Sequence, residues 1–137
     1  SNYLGRIIMI KTGAELVQTV KATIKEASVE NLLENLERDI VLIDVREPEE
    51  YRAGHIASAT SFPRGVLEMK LQTHPDFVNE SEPLEKMATL PIYLICRSGA
   101  RSAFAAESLH RMGFENVYSV AGGMLAWQEK GFPVVEA

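Results

Sequence analysis

Residues 91–102 read PIYLICRSGARS. Pro91 to Ile95 is a short apolar run with β-branched and aromatic members, the pattern of a strand buried on both faces of a parallel sheet. Cys96 stands at its carboxyl end, and a helical pattern, SAFAAESLHRM over 102–112, follows a junction near Arg101. In an open parallel α/β sheet, ligands bind beyond the carboxyl ends of the strands. The connecting loop lies at the N-terminal end of a helix, among backbone N–H groups that have no intrahelical partner. Gly99 admits a conformation that other residues avoid and lets the loop curl into a cradle. Arg97 and Arg101 add positive charge. Each feature favours thiolate over thiol and marks Cys96, the only cysteine of the chain, as a reactive sulfur. The bland alternative is an inert buried cysteine, common for this residue type. Two arginines and a glycine in the five residues after it argue against that.

Working outward, DIVLIDV predicts a second doubly buried strand over Ile40–Val45. PEEYRAG follows as a helix, with Pro48 at its first position, Glu49 and Glu50 at its positive end and Gly54 at its close. HIASATSFP reads as another short strand, and residues 65–73 as helical. THPDFVNESEPLEK, with two prolines, reads as a polar irregular loop. NVYSV is a further strand. AGGMLAWQEKG is a tight turn at Gly122-Gly123 into a last helix that Gly131 ends, with Trp127 in the core. Near the N-terminus, Leu16, Val17, Val20, Ile24 and Ala27 predict an amphipathic helix over 13–26. Ser28 caps a second helix whose apolar face is Val29, Leu32, Leu33 and Leu36. Strands alternating with helices indicate an α/β fold with a mostly parallel sheet.

The chain of 137 residues suits one domain with a core of its own. At 46% hydrophobic and 24% charged it has an ordinary globular composition, and a net charge of −5 argues against a nucleic-acid partner. No apolar run reaches the roughly 18 residues of a membrane span. SNYLGRIIMI lacks the features of a cleaved leader, and Ser1-Asn2, with the residues before Met9, are set aside as a candidate cloning remnant. A lone cysteine forms no internal disulfide, so a cytoplasmic location is the default expectation. One cysteine and three scattered histidines give no metal-ligand spacing.

Three segments together resemble the rhodanese family: LIDVREPEEYRAGHIASATSFP (42–63), CRSGARS (96–102) and VAGGMLAWQEKGFPV (120–134). They occur in the family's order and cover residues from about 28 to 135. The resemblance implies a three-layer α/β domain over 28–137, with a mostly parallel sheet of about five strands flanked by helices. Residues 1–27 would then be an N-terminal helical extension. It also implies sulfane-sulfur transfer, from thiosulfate or another persulfide donor to cyanide or a thiol, through a persulfide on Cys96. A sulfur-relay protein is a further candidate partner; neither cofactor nor metal is implied. Carried over by position, Arg97, Ser98, Gly99, Ala100 and Arg101 form the cradle, and Asp44, Arg46 and Ser102 support it. Asp44 and Arg46 are expected to pair near the loop. His55, in Gly-His-Ile, is expected to be structural, and His74 and His110 to face solvent.

Two rivals remain. Cysteine phosphatases and arsenate reductases of related fold use Cys-x5-Arg, a loop that encloses a tetrahedral oxyanion. Here Ile95 precedes Cys96 and only four residues separate Cys96 from Arg101, which suits one sulfur atom better than a phosphoryl group. The other rival is a non-catalytic binding or regulatory module on the same fold; such modules commonly lack the cysteine. The chain departs from a minimal rhodanese before residue 28 and over about 65–90, which leaves acceptor and oligomeric state open.

Overall fold

Side-chain alternation along the central strands sorts the molecule into layers. The computed structural model describes residues 10–137; the segment set aside above, and Met9 after it, lie outside them. Five strands, β1 (Lys25–Ala27), β2 (Val41–Asp44), β3 (Thr60–Ser61), β4 (Ile92–Ile95) and β5 (Val117–Val120), form one sheet in the order β1-β5-β4-β2-β3. Every pairing in it is parallel. The helices are α1 (Gly13–Lys21), α2 (Val29–Asn35), α3 (Pro48–Ala53), α4 (Leu67–Lys70), α5 (Pro83–Met87), α6 (Ala100–Met112) and α7 (Gly123–Glu129).

Successive strand residues point to opposite faces. Val41, Ile43, Ile92, Leu94, Cys96 and Val117 face one way, onto Ala105, Ala106 and Leu109 of α6. Leu42, Tyr93, Ile95 and Val120 face the other, onto Leu32 of α2 and Met124 and Trp127 of α7. β2 and β4 are buried along their whole length, which explains why they read as continuous apolar runs rather than alternating ones. Each fully buried Ile or Leu there stabilises the fold by roughly 1.5–3 kcal/mol. Trp127 is completely buried, and its indole N–H donates to the Pro133 carbonyl at 2.9 Å. No helix among the described residues is long and apolar enough to cross a membrane.

Four local expectations change. The helix predicted over 13–26 ends at Lys21, and Lys25–Ala27 pairs with β5 as the sheet's edge strand. Ile24 and Ala27 pack into the two cores from this extended segment, so their spacing mimicked a helical face. The 65–73 region is α4 between two single 3₁₀ turns, Arg64–Val66 and Leu71–Thr73. The segment expected to be a polar loop runs into α5 at Pro83 and sends Phe77 into the core. His74 is 3% exposed rather than solvent-facing. It lies between Phe62 and Phe77, its Nδ1 accepts the Asp76 N–H at 3.1 Å, and burial pushes its basicity down. His110 is half-buried, its Nδ1 bonded to the Phe114 carbonyl at 2.9 Å.

Candidate active site

β4 delivers Cys96 to the carboxyl edge of the sheet, between β2 and β5. Gly99, at φ +104°, turns the chain there and becomes the N-cap of α6, which starts at Ala100. A side chain is disfavoured in that left-handed region. The turn folds the backbone over the sulfur. Gly99 N–H donates to Cys96 Sγ at 3.1 Å and Ser102 N–H at 3.3 Å. The Ser102 hydroxyl lies 3.4 Å from Sγ and 2.7 Å from the hydroxyl of Ser119 on β5. Cys96 is 1% exposed, and Ser102 and Ser119 are fully buried. Ser98 sits exposed at the loop's apex, and Ala100 is half-buried at the first turn of α6.

The loop's carbonyls are fixed from behind. Met124 N–H donates to the Cys96 carbonyl at 2.8 Å and Leu125 N–H to the Arg97 carbonyl at 3.0 Å. These are orphan donors of the first turn of α7. The approach requires Gly123: at φ +55°, a Cβ there would overlap both loop carbonyl oxygens. The tight turn at Gly122-Gly123 therefore docks α7 onto the cysteine loop itself.

The two arginines of the loop differ. Arg101 makes a bidentate pair with Glu50 of α3, at 2.7 and 3.1 Å. Its hydrogen bonds hold the Glu50 carboxyl down at about 2 against an ordinary 4.5, and Glu50 in turn raises the basicity of Arg101. The positive charge expected of Arg101 is thus matched by a carboxylate 51 positions away in the chain. Arg97 is exposed and has no ion-pair partner among the described residues. It lines a cleft of about 240 Å³ together with Arg46, Glu50, Gly54, Leu125 and Gln128.

Asp44 and Arg46 form a buried pair at the end of β2. Arg46 Nη2 donates to Asp44 Oδ2 at 2.8 Å and to the Gly54 carbonyl at 2.7 Å, and Arg46 Nε to Asp44 Oδ1 at 3.0 Å. The pair fastens α3, which carries Glu50, to the strand beside β4. His55 stacks on Tyr51 with ring centroids 3.7 Å apart, and its Nδ1 bonds the Tyr51 carbonyl at 2.7 Å. Its backbone bridges to Val135, and it makes no hydrogen bond to the sulfur.

Glu50, Ser119 and the N–H groups of Met124 and Leu125 were not named as site residues from the sequence. All reach the loop from distant elements. For Glu50 the visible signal was the acidic pair after Pro48, read as complementing the helix end. For Ser119 it was a hydroxyl in an otherwise apolar strand run.

A family model described as the rhodanese-like domain matches residues 28–130. The chain is 33% identical over 105 residues to the thiosulfate sulfurtransferase GlpE of Pseudoalteromonas translucida, covering 76% of this chain and 89% of that one. It is 32% identical over 123 residues to YrkF of Bacillus subtilis, covering 88% of this chain but 60% of the relative. The crystal structure of a rhodanese-related protein from Thermoplasma volcanium superposes with a TM-score of 0.68 at 32% identity, covering 82% of this chain and 99% of that one. With the motifs, the parallel sheet and the cysteine loop in agreement, the chain belongs to the rhodanese-like domain family.

Proposed function

We propose that the protein is a sulfurtransferase that carries sulfane sulfur on Cys96, taking it from thiosulfate or another persulfide donor and passing it to cyanide or a thiol. The observation that carries this reading is the convergence of two N–H groups, at 3.1 and 3.3 Å, on one sulfur atom. Donors arranged in this way stabilise negative charge on sulfur without reorganising during reaction. In the first step the Cys96 thiolate attacks the outer sulfur of thiosulfate. The Sγ–S bond forms, the S–S bond of thiosulfate breaks, and sulfite leaves with the electron pair. In the second, cyanide attacks the outer persulfide sulfur, and the Cys96 thiolate leaves. Each step moves a neutral sulfur atom between nucleophiles, so no oxidant or cofactor is needed, and a covalent carrier divides the transfer into two easier displacements.

Arg97, without a carboxylate partner beside the cleft, is the group assigned to receive the anionic end of the donor. Arg101, Gly99 and Ala100 shape the loop, and Asp44 and Arg46 hold its surroundings. A sulfur-relay protein is a candidate acceptor, and a reducing compartment suits a lone working thiol. Thiocyanate formation from thiosulfate and cyanide tests the reading. Cys96→Ser is expected to abolish it while leaving the circular dichroism spectrum unchanged, since a serine hydroxyl is not ionised near neutral pH. Wild-type turnover in that variant would remove Cys96 from the reaction.

A further inference from the structure

The cleft of about 240 Å³ lies between α3 and α7 and shares a wall with the cysteine loop. Arg97, the residue after Cys96, lines it, and so does Leu125, whose N–H holds the Arg97 carbonyl. Three polar groups on this cleft keep hydrogen-bonding capacity that no described residue uses. The first is Arg46, whose side chain is only 8% exposed. Its Nε donates to Asp44 and its Nη2 to Asp44 and the Gly54 carbonyl. Of the five N–H donors of a guanidinium, the two on Nη1 are left without an acceptor. Nη1 is not sealed in, because the one sealed and unpaired side-chain donor among the described residues is Arg64 Nε. The second is the exposed guanidinium of Arg97. The third is the side-chain amide of Gln128 on α7, also exposed. Gly54 stands between Arg46 and Gln128. Its carbonyl receives Arg46 Nη2 at 2.7 Å, and a Cβ built on it would lie 3.8 Å from the Gln128 amide nitrogen. Its φ of 167° is extended backbone that any residue adopts, so what glycine supplies here is space.

Charge decides what fits. Asp44 matches Arg46 and Glu50 matches Arg101, so Arg97 leaves one positive charge on the cleft unmatched. A carboxylate brings one negative charge on two oxygens, which accept N–H donors of a guanidinium and an amide together. Thiosulfate carries its charge one bond from the sulfur it gives up, and the loop's own Arg97 serves it. Arg46 and Gln128 offer donors to a longer molecule. We propose that the cleft is the carboxylate subsite of the sulfur acceptor: a small thiol whose chain ends in a carboxylate lays that group against Arg46 Nη1 and the Gln128 amide, with Arg97 supplying the opposite charge. Donor and acceptor use Arg97 in turn. The acceptor reacts as its thiolate. Its sulfur bonds the outer persulfide sulfur, the bond to Cys96 Sγ breaks, and Cys96 leaves as a thiolate. That step rests on the sulfurtransferase reading, whereas binding of the carboxylate does not.

Propionate, a carboxylate without sulfur, is titrated into the whole isotope-labelled protein and followed by nuclear magnetic resonance. The Gln128 side-chain amide and the Nε–H signals of Arg46 and Arg97 are expected to shift, and propanamide, of the same shape without the charge, to leave them in place. Gly54→Ala, which fills the space without backbone strain, and Gln128→Glu, which sets a second carboxylate in the cleft, are each expected to weaken propionate binding about three- to tenfold, the scale of one hydrogen bond. Gln128→Glu, at an exposed position, carries the comparison if Gly54→Ala does not fold. In a second arm the protein is loaded from thiosulfate and discharged by 3-mercaptopropionate or by 3-mercaptopropanol, thiols of the same length. At low thiol concentration the carboxylate is expected to discharge it about tenfold faster in wild type, with most of that preference lost in the variants. Propionate that shifts none of these signals, propanamide that shifts them equally, or undiminished binding in the variants would overturn the subsite, whatever the sulfur chemistry. Binding as expected but equal discharge by the two thiols would overturn its assignment to the acceptor. A protein that takes up no sulfur yet binds propionate in this pattern keeps the subsite and loses the sulfurtransferase reading.

Discussion

Replacing Glu50 by glutamine removes one charge from the Arg101 pair and little else. Glutamine keeps an acceptor for the Glu47 N–H, which Glu50 Oε1 now accepts at 3.1 Å. The pair holds the Glu50 carboxyl at about 2, against an ordinary 4.5. At about 1.4 kcal/mol per pH unit that interval is worth roughly 3 kcal/mol if fully credited. The two side chains are 35% and 31% exposed, so water screens them, and about 1 kcal/mol is the expected net loss. For a domain of this size that lowers Tm by about 3–5 °C. A carboxyl with a depressed folded value contributes its full stability above the unfolded value and loses it as pH falls through the folded one. The gap between wild type and Glu50→Gln is therefore expected to be constant above about pH 4.5, to shrink below it, and to close near pH 2. Urea unfolding of both proteins at pH 7 and pH 3 measures it. No gap at pH 7, or an equal gap at pH 3, would refute the reasoning that the ion pair holds α3 against the loop.

Gly123→Ala is expected to destabilise the protein by more than about 3 kcal/mol, because the residue sits at φ +55° and its new Cβ would displace two loop carbonyls; thermal unfolding measures it, and a loss under about 1 kcal/mol would show that the docking of α7 relaxes freely. Arg97→Ala is expected to raise KM for thiosulfate about tenfold or more, the scale of one charge-assisted contact, with Tm unmoved. Arg101→Ala is expected to lower Tm as well, since it strands Glu50. Steady-state kinetics beside calorimetry separates the two arginines, and the reverse pattern would exchange their roles.

What the sequence disclosed was local. β2 and β4 were legible because both faces of each are buried and their runs are uninterrupted. The cysteine loop was legible because sulfur, glycine and helix start lie within a few residues of one another. β1 was not, since three residues at a sheet edge, two of them charged, carry too little pattern to compete with the helical spacing of Ile24 and Ala27. His74 was misplaced because its neighbours in sequence are polar, whereas Phe62 and Phe77 enclose it. The Glu50–Arg101 pair, the Ser119 hydroxyl and the two N–H groups of α7 are products of strand order: β4 lies between β2 and β5, which brings α3 to one side of the loop and β5 with α7 to the other. No residue pattern announces such meetings.

The most direct test of the central claim is the intact mass of the protein after brief exposure to thiosulfate, followed by peptide mapping. A gain of about 32 Da, one sulfur atom, confined to the peptide that contains Cys96 and removed by cyanide, is the predicted result. A protein that gains no sulfur under conditions in which it produces thiocyanate, or that gains it equally as Cys96→Ser, would contradict the account.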